Sequence, residues 1–130
     1  MSSASESLTQ LTQIVAQLRG PNGCPWDKAQ SVGSINKHIL EEAQEWVDAI
    51  NSDEDDAIIE EAGDVFLHVI MIAQMASEDG RFNLDDIIQR LIEKLIRRHP
   101  HVFGDEVAES EADVKRIWEA AKAKEKADKH

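Results

Sequence analysis

Four acidic residues constrain the folding of this chain more tightly than any other feature. Glu42 and Glu45 lie three residues apart, as do Glu61 and Asp64, and the two pairs are symmetric about position 53. Glu45 and Glu61 are each eight residues from that position, Glu42 and Asp64 each eleven. The centre falls in Asn51-Ser52-Asp53-Glu54, a polar stretch between two segments of helical apolar periodicity. If the segments fold back there as an antiparallel helix pair, Glu45 faces Glu61 and Glu42 faces Asp64, on levels about 4.5 Å apart. Four carboxylates converging in this way repel one another unless they hold a divalent cation or take up protons.

The pattern along the rest of the chain is helical too. Ser7, with Gln10 three residues on, is the expected cap of a first helix striped by Leu8, Leu11, Val15 and Leu18 and ended by Arg19-Gly20-Pro21. Residues 22–28 read as a loop from their Gly and Pro content. A second helix is expected from near Ser34, with Ile39, Ala43, Trp46, Val47 and Ile50 on its apolar face. Ser52, with Asp55 following, is the expected cap of a third helix running to Gly80. Its middle, Val65 to Ala73, is apolar all round except for His68 and so is expected in the core. Asn83 caps a fourth, striped by Leu84, Ile87, Ile88, Leu91, Ile92 and Leu95 and stopped by His99-Pro100. Ser110, with Asp113, opens a last helix using Val114, Ile117, Trp118 and Ala121. With no hairpin signal and no repeat, the expectation is an all-α fold. It is a bundle of about five helices in a single domain, residues 1–130, whose ends 1–6 and 124–130 are frayed.

The formal charge of −12 argues against a general nucleic-acid binder, which carries a basic footprint. It leaves room for a small polyanion met by a metal and a few local cations. No apolar run approaches a membrane span, residues 1–7 lack a secretory pattern, and Cys24 is the single cysteine. The expected location is the cytoplasm, with no membrane and no nucleic acid as partner.

Helical phase separates the adjacent acids Glu41 and Glu42. At 100° per residue Glu42 lies at the edge of the second helix's apolar stripe, whereas Glu41 points to water. The hard oxygen donors Glu42, Glu45, Glu61 and Asp64 favour Mg²⁺, with Mn²⁺ or Ca²⁺ able to substitute. A ferritin-like di-iron site wants Glu-x-x-His, and no Glu here has His three residues later. Lys94 and Arg98, four apart, flank the fourth helix's stripe and suit a triphosphate. Arg97 turns toward solvent, where a cation at a helix C-terminus satisfies the last carbonyls and the dipole. Trp26 and Asp27 could close over a base or plug the bundle end. His68 reads as a hydrogen-bonded core histidine, His99 and His101 as parts of a rigid turn, and Cys24 lacks a base for nucleophilic chemistry.

Several strings resemble one family, the MazG-type nucleoside triphosphate pyrophosphohydrolases. They are Gly23-Cys-Pro-Trp-Asp-Lys28 with Gln30, Leu40-Glu-Glu-Ala-Gln-Glu45 running to Val47-Asp-Ala-Ile50, Glu61-Ala-Gly-Asp64, Ala73-Gln-Met75 and Gly80-Arg-Phe82. Lys94-Leu-Ile-Arg-Arg-His-Pro-His-Val-Phe103, and then Trp118 with Lys122, complete the likeness over roughly residues 8 to 125. The resemblance implies Mg²⁺-dependent hydrolysis of a nucleoside triphosphate, NTP or dNTP, to the monophosphate and pyrophosphate. It also implies that Glu42, Glu45, Glu61 and Asp64 are metal ligands. Lys28, Lys94, Arg97, Arg98, Trp118 and Lys122 match positions of nucleotide or phosphate contacts, and a homodimer or larger oligomer is implied. His38 stands where an aromatic residue usually precedes the Leu-Glu-Glu string, and Ser31-Val-Gly33 is looser than the usual Thr-led stretch, which bears on nucleobase preference. The mechanism expected is attack of water on the α-phosphorus, with Lys94 and Arg98 offsetting charge on the departing pyrophosphate and the base, Glu41 or Glu45 if one is needed, unassigned. Two alternatives remain: a narrower all-α pyrophosphatase acting on dUTP, dCTP or phosphoribosyl-ATP, and a non-catalytic helical module that binds metal or nucleotide.

Overall fold

The computed structural model describes residues 3–129. Among them are seven helices and no strand. These are α1 (Ala4–Leu18), α2 (Pro25–Ala29), α3 (Val32–Ser52), α4 (Asp55–Glu78), α5 (Leu84–Arg98), α6 (Pro100–Phe103) and α7 (Glu111–Asp128). The all-α class matches the expectation. The two helices beyond the expected five are short and start with proline, at Pro25 and Pro100. Pro is well suited to the first turn, where its missing N–H has no helical partner in any case. Residues 4–6 and 124–128 lie within α1 and α7, while positions 1, 2 and 130 of the expected tails fall outside the described residues.

The cap residues correct the expected boundaries. Ser3, not Ser7, caps α1, its Oγ accepting from the Glu6 N–H at 3.2 Å. Helix α3 starts at Val32 because Ser31 and Ser34 form a reciprocal capping box, at 3.1 and 2.8 Å. Ser52 closes α3 instead of opening α4: its hydroxyl donates to the Ala49 carbonyl at 2.6 Å. Asp53 then takes a left-handed backbone, φ 58° and ψ 26°, which reverses the chain. Asp tolerates that region better than most residues because its short polar side chain bonds locally. Helix α4 follows from Asp55, with Asp55 and Asp56 in its first turn where the helix dipole favours negative charge. The expected Ser110 cap of α7 is present, accepting from the Asp113 N–H at 3.1 Å.

The chain divides into two compact units, one ending at Leu84 and one beginning at Asp85. In the first unit the hairpin of α3 and α4 forms the main packing, with α1 against α4. Its core is Val15, Ile35, Ile70, Met71 and Met75, with Leu8, Leu11, Val32, Ile72 and Leu84 packed around it. Helix α4 was expected in the core over Val65 to Ala73, but its burial is confined to its C-terminal half, where it runs round the whole helix. Ile70, Met71, Ala73, Met75 and Ala76 lie inside, whereas Phe66, Leu67 and Val69 stay partly open. On α3 the buried positions are Ile35 and Ala49, and the predicted core residues Val47 and Ile50 remain about half exposed.

Arg19 ties this unit together. Its guanidinium donates to both Glu78 oxygens (2.8 and 2.9 Å) and to the Asp27 and Gln30 carbonyls (2.5 and 3.0 Å). The end of α1, the end of α4 and the short helix α2 are thereby fixed to one cation. The Glu78 carboxyl is held below the usual carboxylate range, mainly by its bonds to Arg19. Gly23 is required by the same junction, since a Cβ there would collide with the Leu18 and Gln17 carbonyls.

The second unit contains α5 to α7. No residue of α5 is buried, and the apolar side chains Leu91, Ile92, Leu95 and Ile96 are 39–49% exposed. Ile117 of α7 is buried. Trp118 packs beneath the Arg98 guanidinium, 5.0 Å from carbon to ring centroid, and edge-on to His99 at 5.2 Å.

Candidate active site

The reversal at Asp53 brings the two acidic pairs together. Glu42, Glu45, Glu61 and Asp64 each offer one carboxylate oxygen, and these four atoms lie within 4.8 Å of one another. Glu45 is exposed and the other three are half-buried. Glu41 points away as helical phase predicts, its side chain 70% exposed and 3.7 Å from His38 Nδ1.

Two oxygens of the cluster, Glu42 Oε2 and Glu61 Oε2, are buried without a hydrogen-bond partner among the described residues. A carboxylate oxygen cut off from water and left unpaired is costly, so such atoms mark a place where a cation or a proton belongs. Both carboxyls are held above the usual range. Burial is the larger cause for each, followed by the charges of Glu45 and Asp64. The donor set, four carboxylates and no nitrogen or sulfur, suits a hard divalent ion. The residues present therefore fit a divalent metal.

Beside the cluster lies a cavity of about 210 Å³, with Glu42 in its wall. Trp26, Asp27, His38 and His68 supply its polar and aromatic lining, and Ile35, Leu67 and Met71 the apolar part. Trp26 is 54% exposed, so it forms a wall of this opening and is not a plug at the end of the unit. His68 is hydrogen-bonded as expected, its Nδ1 2.9 Å from the Asp64 carbonyl oxygen one helical turn back, and it also faces the cavity. Lys28 Nζ donates to the Pro21 carbonyl at 3.2 Å.

The second unit carries the other predicted groups. Arg97, Arg98, Trp118 and Lys122 gather where the last turn of α5 meets α7, with Lys94 one turn earlier on α5. Glu125, which the sequence did not single out, joins both arginines. It accepts from Arg97 Nε at 2.5 Å and from Arg98 through Nη2 at 3.0 Å and Nε at 3.4 Å. These bonds, Arg98's foremost, hold its carboxyl down to about 2. The available signal was spacing: Trp118, Lys122 and Glu125 fall at intervals of four and three, on one helical face.

Residues 30–103 match the family described as the MazG nucleotide pyrophosphohydrolase domain, a span that is more than half of the chain and contains all four carboxylates.

The chain belongs to the MazG family.

It is 46% identical over 120 residues to the nucleoside triphosphate pyrophosphohydrolase/pyrophosphatase MazG of Thermotoga maritima, covering 92% of this chain and 46% of that protein. It is 45% identical over 123 residues to the nucleoside triphosphate pyrophosphohydrolase of Escherichia coli K12, covering 94% and 47%. The chain thus spans about half the length of these MazG relatives, and 23% of the uncharacterized protein YabN of Bacillus subtilis, which it matches at 47% identity. A solved MazG-related protein from Thermotoga maritima superposes with a TM-score of 0.72 at 28% identity, covering 88% of this chain and 98% of that one. Lys94, Arg97 and Arg98 lie within the span matched to the MazG family, whereas Trp26, Lys28, Trp118, Lys122 and Glu125 lie outside it.

Proposed function

We propose that this MazG domain hydrolyses nucleoside triphosphates, NTP or dNTP, to the monophosphate and pyrophosphate, and that it does so with Mg²⁺, Mn²⁺ being able to replace it. The observation that carries this reading is the four-carboxylate square with its two orphaned buried oxygens, inside the segment that matches the family.

Glu42, Glu45, Glu61 and Asp64 are the residues that would hold the ion. When bound, a divalent cation draws charge from the phosphate oxygens and so makes the phosphorus a better electrophile. The carboxylates' own contribution is to fix the triphosphate through that charge and to orient the attacking water. Glu45, the most open of the four, is the best placed to take a proton from water. Oxygen from water joins the α-phosphorus, the bond from that phosphorus to the α,β-bridging oxygen breaks, and pyrophosphate leaves. Lys94 and Arg98 are read as offsetting charge on the leaving group, with Lys28, Arg97, Trp118 and Lys122 as further substrate contacts. The cavity lined by Trp26, His38 and His68 is read as the seat of the base. At about 210 Å³ it is smaller than the roughly 300–1,000 Å³ of a drug-sized site, so it suits one ring system and not a whole nucleotide.

A homodimer or larger homo-oligomer belongs to the same proposal. The exposed apolar side chains on α5, with Leu40, Ile59 and Phe66 in the first unit, support it, since apolar surface of this kind marks interaction sites where it is contiguous. Light scattering at micromolar concentration should give at least twice the chain mass, and a monomeric mass would overturn this part. A cytoplasmic location and the absence of nucleic-acid partners are proposed from charge and the single Cys24. No helix among the described residues is long and apolar enough to cross a membrane.

The test is to incubate the protein with ATP and each dNTP plus Mg²⁺ and to separate the products. Monophosphate and pyrophosphate in equal amounts are expected, and release of orthophosphate would overturn the reading. Glu42→Gln and Asp64→Asn separate an enzyme from a binding module: turnover is lost while the helical spectrum is kept.

A further inference from the structure

Two adjacent arginines at the end of a helix are poor anion receptors if left to themselves. Each guanidinium has many rotamers, the two repel, and ordering them costs binding free energy. In the second unit that disorder is removed before any ligand arrives. Arg98 is only 16% exposed, lies over the Trp118 ring, and is bonded through two nitrogens to Glu125, itself 18% exposed. Arg97, 50% exposed, is held by the same carboxylate.

The edges used decide what Glu125 does. It engages Arg97 at Nε only, leaving both terminal nitrogens of that guanidinium without a partner among the described residues. It engages Arg98 at Nε and Nη2, leaving Nη1. On the exposed Arg97 the carboxylate leaves both terminal nitrogens to an anion, and on Arg98 it takes one of the two. Arg98, Lys122, Lys126 and Lys129, with Glu119 and Glu125, line one open concavity of about 380 Å³, and Arg97 lines another, of about 480 Å³, that shares Glu125. In the one that holds Arg98, four cationic side chains face two carboxylates, an excess that suits a polyphosphate.

We infer that Glu125 is a positioning residue for polyphosphate binding, holding Arg97 and Arg98 with their free N–H groups presented to the anion. The inference rests on reading these arginines as triphosphate contacts. Removing the carboxylate releases two rotamer-rich side chains, which weakens binding by about tenfold even though the local charge becomes more positive.

The experiment measures binding of inorganic tripolyphosphate by calorimetry, together with KM and kcat for ATP, in the whole protein and in Glu125→Ala, Glu125→Gln, Arg97→Ala/Arg98→Ala and the triple variant. Circular dichroism and thermal melting check that each is folded. The expected result is tripolyphosphate affinity about tenfold weaker in Glu125→Ala and partly restored in Glu125→Gln, since Gln keeps one acceptor oxygen. KM should rise more than kcat falls. In the Arg97→Ala/Arg98→Ala background, adding Glu125→Ala should change nothing further, which a merely structural role would not produce. Unchanged or tighter tripolyphosphate binding in a folded Glu125→Ala protein would overturn the inference and make Glu125 a bystander or a competitor, while wild-type turnover still stood. Should wild type bind tripolyphosphate with no help from the arginines, both this inference and their assignment as phosphate contacts fall. If that binding were intact but no nucleotide were hydrolysed, only the catalytic reading would fail.

Discussion

Replacing Glu42 by Gln tests the carboxylate square from two sides at once. With no ion bound, four ligand oxygens within 4.8 Å repel one another, and Glu42 Oε2 is buried without a partner. A neutral isostere removes one charge, so the metal-free variant should melt at or above the wild-type temperature near neutral pH. With metal the order reverses. At a free Mg²⁺ or Mn²⁺ concentration a hundred times Kd, linkage stabilises wild type by about 2.7 kcal/mol. For a chain of this size that is a rise of about 10 °C. Losing one of four ligands weakens affinity on the order of 100-fold, which leaves about 0.4 kcal/mol and a rise of only about 1–2 °C at the same metal concentration.

Proton linkage supplies a second reading from the same samples. The Glu42 and Glu61 carboxyls titrate higher in the folded chain than the ordinary 4.5. Their contribution to metal-free stability is therefore full below that value and is lost as pH rises through the raised ones. The metal-induced shift in melting temperature should grow across the same window, because the ion competes with those protons. Thermal melts of both proteins over pH 4–8, with and without metal, make the comparison. Equal metal shifts in wild type and variant would refute the placement of the ion at these carboxylates.

Three other outcomes follow from the packing. Arg19→Ala leaves two carbonyls and Glu78 without their cation, and should cost about 2–3 kcal/mol in urea unfolding. Because Glu78 titrates low when folded, the contribution lost in this variant is present above the ordinary carboxylate pKa and fades as pH falls through the lowered one. Ile70→Ala opens a cavity at a residue 2% exposed and should cost roughly 2–5 kcal/mol; a loss under about 1 kcal/mol would mean the site collapses or is not core. The Glu125 side-chain carboxyl should titrate with a midpoint near 2 by NMR, and near 4.5 once Arg97 and Arg98 are both replaced by Ala.

The parts of the site that regular helix geometry controls were legible in the sequence. Symmetry of the acids about position 53 depends only on two helices meeting at a turn, and the left-handed residue is Asp53 itself. Phase within one helix separated Glu42 from Glu41 because rotation per residue is nearly constant. Capping was less legible, since Ser3, Ser7, Ser31, Ser34 and Ser52 offer the same hydroxyl and only the local backbone selects among them. The short helices α2 and α6 escaped because Pro and Gly mark a loop and a helix start alike. The Arg19 and Glu125 junctions escaped for another reason. Their carboxylate–arginine partners lie 59 and 27–28 residues apart, and no periodicity links such positions before the chain has folded. The apolar stripe of α5 was legible but its exposure was not, because periodicity reports that a face is apolar and not which molecule covers it.

Hydrolysis of ATP in ¹⁸O-labelled water, with mass spectrometry of the products, tests the central proposal most directly. Water attack at the α-phosphorus predicts one heavy oxygen in AMP and none in pyrophosphate. Label in pyrophosphate, or release of orthophosphate with ADP, would contradict it.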